Sequence, residues 1–100
     1  MNPKSMFPAE RRNSMEIMMN ILEESKSGIN KTRLVYRTNL NFLVIRKYID
    51  FLIERSLLRV EQTQGNVFVT TETGIEVLAE YNKMRDIMGF EKQIEAHTYL

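Results

Sequence analysis

The chain of 100 residues contains no cysteine. That excludes a disulfide framework, a thiolate metal site and a thiol nucleophile, and an intracellular protein is the simplest reading. Only one histidine is present, His97, close to the C-terminus. A catalytic base is hard to hold in a terminal segment, and neither a glycine-rich phosphate loop nor metal-ligand spacing appears. No catalytic residue, metal or cofactor is therefore expected, and no small-molecule ligand is evident. Apolar runs are only a few residues long, far below the ~20 that a membrane span requires, and the N-terminus lacks the apolar centre of a signal peptide. The two prolines, Pro3 and Pro8, lie in an aperiodic opening stretch. Residues 1–12 read as a flexible, weakly basic arm carrying Lys4, Arg11 and Arg12.

What is present is ordinary globular composition, 43% apolar and 27% charged, in a length that suits one small domain. The net charge of +1 conceals an asymmetry. Residues 1–60 hold 11 Lys/Arg against 6 Asp/Glu, whereas residues 61–100 hold 3 against 7. From Lys26 to Lys47 the chain carries Lys26, Lys31, Arg33, Arg37, Arg46 and Lys47 and no acid, so 22 residues bear +6. A single-sign block inside a folded region points to a polyanion-facing surface. The alternative is a solvated face balanced by acids from elsewhere.

Asn13, with Glu16 three residues on, predicts a capping box and a helix start. Met15, Met18, Ile21 and Leu22, with Ile17 beside them, form its apolar stripe, and Ser27-Gly28 is expected to end it. Asn30 or Thr32 caps a short second helix with Leu34, Val35 and Tyr36 on one face and Lys31, Arg33 and Arg37 on the other. Thr38-Asn39 breaks it, Leu40 reads as an apolar pin under the turn, and Asn41 caps a third helix. There Phe42, Ile45, Tyr48, Ile49, Leu52 and Ile53 share the inward side, and Leu43, Arg46, Lys47, Asp50 and Glu54 point out. The bases occupy the N-terminal half of that outer face and the acids the C-terminal half.

After Ser56 the period changes, and "LLRVEQTQGNVFVT" reads as two strands joined around Gln64-Gly65-Asn66. Two strands alone would be marginal in water, so they should lie on the helices. Thr70 or Thr71 caps a last helix carrying Ile75, Val77, Leu78, Tyr81, Met84, Ile87 and Met88. Val77, Tyr81, Met84 and Met88 follow the alternating four- and three-residue steps of a coiled-coil seam, which Gly89 interrupts.

This order, a mainly α chain with a small β-hairpin (α+β), is that of a winged helix-turn-helix followed by a C-terminal dimerisation helix. The domain layout is then residues 13–70 and 71–100. In that architecture the third helix enters the major groove by its N-terminal half. The chain also resembles the small archaeal winged-helix family typified by the ten-kilodalton DNA-binding proteins of Sulfolobus. The resemblance rests on "GINKTRLVYRTNLNFLVIRKYIDFLIERSLL", the following strand-turn-strand, and "TTETGIEVLAEYNKMRDIM", spanning residues 13–90. It implies a homodimer paired through C-terminal helices as an antiparallel coiled coil, binding double-stranded DNA as a chromatin-associated or regulatory protein in the cytoplasm, at the nucleoid.

Carried over by position, Asn41, Leu43, Val44, Arg46 and Lys47 would face the groove, while Lys31, Arg33 and Arg37 would lie over the backbone. Leu43 and Val44 either meet thymine methyls or mark a protein-protein patch. The wing turn, Thr63 to Asn66, has no Lys or Arg, leaving Arg59 and Gln64 as its DNA-facing residues. Val77, Tyr81, Met84 and Met88 would form the dimer contact. The rival reading is an interaction or dimerisation module that does not bind DNA.

Overall fold

The computed structural model describes residues 13–62 and 65–89. The arm with Lys4, Arg11 and Arg12, the wing residue Gln64, and His97 lie outside the described residues.

Helix α1 (Ser14–Glu24) begins where its cap predicts. Asn13 Oδ1 accepts from the Glu16 backbone N–H at 2.8 Å. The return bond differs from the expected box: Glu16 Oε1 accepts from the Asn13 side-chain amide at 3.0 Å. Ile17, Met19, Ile21 and Leu22 are its buried residues, whereas Met15 is half exposed. Ile17, Ile21 and Leu22 thus bury as expected and Met18 packs partly against the core, while Met19 takes the inward place expected of Met15.

The helix also stops three residues before Ser27-Gly28, because strand β3 (Val67–Thr70) claims its end. The Ser25 carbonyl accepts the Thr70 N–H at 3.0 Å as well as the Gly28 N–H at 3.1 Å. Thr70 Oγ1 donates to the Leu22 carbonyl at 2.6 Å. With the Leu22 carbonyl engaged by Thr70, the Lys26 N–H turns to the Glu23 carbonyl at 3.4 Å in place of the helical partner four residues back, and α1 ends there. Gly28 does adopt a positive φ of 91°, but at the entry to a strand, where a Cβ would lie 3.0 Å from a Val67 methyl.

That strand, β1 (Ile29–Asn30), is absent from the sequence reading, since two residues carry no readable period. It pairs antiparallel with β3 (Val67–Thr70), setting Ile29 against Phe68. On the other side β2 (Leu58–Glu61) pairs with β3, Leu58 opposite Thr70 and Val60 opposite Phe68. The expected hairpin is therefore two-thirds of a three-stranded antiparallel sheet in the order β1-β3-β2. A third strand removes one exposed edge of the hairpin and relieves its marginal stability.

Helix α2 (Lys31–Thr38) is capped by Asn30, not Thr32: Asn30 Oδ1 accepts from the Arg33 N–H at 2.8 Å. Leu34 and Thr38, one turn apart, form its buried stripe. Asn39 takes the left-handed conformation, φ 56° and ψ 40°, and turns the chain into α3 (Phe42–Glu54). Ile45, Ile49 and Leu52 bury the inner side of α3, with Phe42, Tyr48, Ile53 and Leu40 packed partly against the same core.

Helix α4 (Glu72–Met88) is capped by Thr71, which accepts from the Gly74 N–H at 3.0 Å. Leu78 enters the common core, and Val77 and Tyr81 pack against it. Helix α1 is the hub, touching α2, α3, α4 and β3.

Candidate nucleic-acid interface

The outward face of α3 is built from its inward one. Leu43 lies about 200° around the helix from Ile45, so burying Ile45 completely forces Leu43 into solvent. Arg46 and Lys47 follow one turn later on the same side, and Asp50 and Glu54 one and two turns beyond; all are exposed. The order of charges read from the sequence is thus laid out along one rigid, core-anchored surface. The Asn41 cap sets where that surface begins, its Oδ1 accepting from the Val44 N–H at 2.9 Å. That oxygen is engaged, so the bidentate adenine contact that Asn41 offers on paper would require giving up the cap. Val44 is half-buried, whereas Leu43 is 82% exposed. The two apolar residues therefore have different surroundings.

Tertiary structure divides the acid-free block into two sets of cations. Lys26 Nζ stands 3.1 Å from Glu23, Arg37 Nε 4.0 Å from Glu24 on α1, and Arg46 Nε 4.0 Å from Asp50. These pairs are solvent-exposed or long, so each contributes little to stability and is readily exchanged for another anion. Lys31, Arg33 and Lys47 have no carboxylate at ion-pair distance among the described residues. Acids from elsewhere therefore balance part of the block and leave these three uncompensated. Lys31 Nζ sits 4.3 Å from the centre of the Phe42 ring and Lys47 Nζ 5.2 Å from that of Tyr48. Both stacks pre-position a charge beside α3 without neutralising it.

The wing contributes less. Arg59, the one cation of the wing, donates to Glu61 on the same strand, an exposed pair as exchangeable as the others. Gly65 and Asn66 are exposed and uncharged.

Tyr36 was expected among the inward residues of α2, yet it is 82% exposed. It lies about 200° from Leu34, and the Leu34–Thr38 stripe turns it outward beside Arg33 and Arg37. The signal in the sequence was that same two-residue offset from Leu34.

At the other end of the molecule, Val77 and Tyr81 are partly occupied by their own core, so only part of the expected coiled-coil seam stands open. Met84, Ile87 and Met88 are exposed in the last turns of α4, which Gly89 closes at φ 73°. Among the described residues no helix is long and apolar enough to cross a membrane.

A family model described as winged helix-turn-helix matches residues 11–89. An uncharacterised protein of Methanocaldococcus jannaschii is 31% identical over 89 residues, covering 88% of this chain and 89% of that protein. A second uncharacterised protein of the same archaeon is 33% identical over 78 residues, or 77% of this chain, which spans 35% of that longer relative. Among solved structures, Sso10a-2, a DNA-binding protein from Sulfolobus solfataricus, superposes with a TM-score of 0.63 at 26% identity. The match covers 87% of this chain and 96% of that one.

Proposed function

This chain belongs to the winged helix-turn-helix family, and from that premise we propose that it binds double-stranded DNA, with the N-terminal half of α3 in the major groove. The observation that carries the reading is the outer face of α3. Leu43, Arg46 and Lys47 are exposed where a recognition helix meets DNA, and Asp50 and Glu54 follow where it leaves. Phosphates flank the groove, so Arg46 and Lys47 gain from them while the acids stay clear. Lys31, Arg33 and Arg37 on α2 position the domain on the backbone without reading bases. With Arg59 as its one cation, the wing grips weakly, and Gln64 supplies polar contact only.

The protein acts as a homodimer, in keeping with a role as a chromatin-associated or regulatory protein at the nucleoid. Met84 and Met88 carry the contact on the open side of α4, with Val77 and Tyr81 at its inner margin. DNA binding is supported also by the likeness to Sso10a-2, itself a DNA-binding protein.

The test is a titration against a fluorescent duplex across a range of salt concentrations. Each phosphate contact contributes about 0.9 to the log–log slope of affinity against salt. Neutralising Arg46 and Lys47 together with glutamine should flatten the slope by about 1.8 for each subunit engaged, or about 3.6 for a dimer, if both meet phosphate. An unchanged slope would remove both from the interface. No salt-dependent binding by the folded wild type would turn the surface into a protein-docking face.

A further inference from the structure

Leu43 and Tyr36 are the two most exposed large apolar side chains among the described residues, each at 82%. Both fall inside the acid-free segment from Lys26 to Lys47. Single exposed leucines are common on protein surfaces, but this one opens the helix face that also carries Arg46 and Lys47. An apolar protein partner seated on Leu43 would have to desolvate those cations or supply acids for them, whereas a DNA duplex supplies phosphates on both sides. Between the phosphates, the base edges of the major groove present hydrogen-bonding groups and one apolar feature, the thymine 5-methyl group. The polar residue at the helix start does not compete for that position, because the Asn41 oxygen is held by the Val44 N–H at 2.9 Å.

We infer that Leu43 is a specificity-determining residue that packs on thymine 5-methyl groups, so that thymine-bearing duplexes are the preferred class of DNA. The inference rests on the placement of α3 in the major groove, and it adds a base preference to what would otherwise be backbone affinity. Arg46 and Lys47, one turn along, hold the helix at the depth where the leucine reaches the base edge.

The experiment compares affinities for an alternating adenine-thymine duplex and for the same duplex with deoxyuridine in place of thymine, which removes only the methyl groups. Shielding one methyl group corresponds to about a fourfold change in affinity. Wild-type protein should therefore bind the thymine duplex roughly fourfold more tightly than the uridine duplex. Leu43→Ala should bind both equally, and its far-UV circular dichroism should match wild type because the side chain contributes nothing to the core. Lys47→Gln should weaken both affinities while preserving their ratio. Equal wild-type affinity for the two duplexes, or a ratio that persists in Leu43→Ala, would overturn the inference while salt-dependent binding left the DNA reading standing. Absence of salt-dependent binding to either duplex would overturn both.

Discussion

Replacing Gly74 by alanine should destabilise the protein even though alanine is the better helix former. On propensity alone, exchanging an interior glycine for alanine stabilises a helix by about 1 kcal/mol. Here a Cβ would stand 2.2 Å from the Leu57 carbonyl oxygen and 2.6 Å from the Thr70 side-chain methyl. An ordinary carbon–oxygen contact is on the order of 3.3 Å, so α4 would have to retreat by roughly 1 Å.

That retreat strikes the bonds that seat the helix. The Thr71 N–H donates to the same Leu57 carbonyl at 3.1 Å, and Thr71 Oγ1 donates to the Ser56 carbonyl at 2.6 Å while capping Gly74 at 3.0 Å. Each such bond contributes about 0.5–1.5 kcal/mol net, and more where a buried partner is left unpaired. At about 1 kcal/mol each, losing two of them costs about 2 kcal/mol, which outweighs the propensity gain and leaves a net destabilisation of about 1 kcal/mol. For a domain of this size that is a fall in Tm of roughly 4–8 °C. Urea unfolding followed by far-UV circular dichroism, at one fixed protein concentration so that any dimer equilibrium is held constant, measures it. A Gly74→Ala protein as stable as wild type would refute the close approach and the reasoning built on it.

Three further outcomes are expected. Ser25 Oγ is fully buried and has no hydrogen-bond partner among the described residues, so Ser25→Ala should be neutral or stabilising, by up to about 1 kcal/mol in chemical denaturation; a clear loss would reveal a partner for that hydroxyl. Asn41→Asp should keep the cap on Val44 and the stability of α3, yet weaken duplex binding by placing a negative charge at the groove end of the helix. Equal affinity in a binding titration would place the start of α3 away from DNA. Met84→Asp should give monomers in sedimentation equilibrium, and a surviving dimer would assign the contact to another surface.

All four helix starts were legible in the sequence to within a residue or two, and those at Asn13 and Asn41 without an alternative, because a cap is a local event. Asn13, Asn30, Asn41 and Thr71 each accept from the N–H of the residue three positions on, a bond that distant chain does not control. The inward and outward sides of α3 were legible for a related reason. Its apolar residues keep helical spacing over three turns, and the charged residues can only take the remaining face. At Asn30 against Thr32, and at Thr71 against Thr70, local pattern offered two equivalent caps. Thr70 was taken out of contention by its bond to the Leu22 carbonyl, 48 positions away.

The sequence by itself determined where α1 and α3 begin, which side of α3 meets solvent and the order of charges along it, since these depend on neighbours within a turn or two. Only the tertiary structure decided where α1 stops, that a two-residue β1 completes the sheet, that position 74 has no room for a side chain, and which cations remain without an acid. Each of those depends on a partner from another element: the Thr70 hydroxyl on the Leu22 carbonyl, Phe68 opposite Ile29, the Leu57 oxygen over Gly74, and Glu24 beside Arg37. Such contacts exist only once the chain has folded back on itself, and no spacing along the sequence encodes their distances.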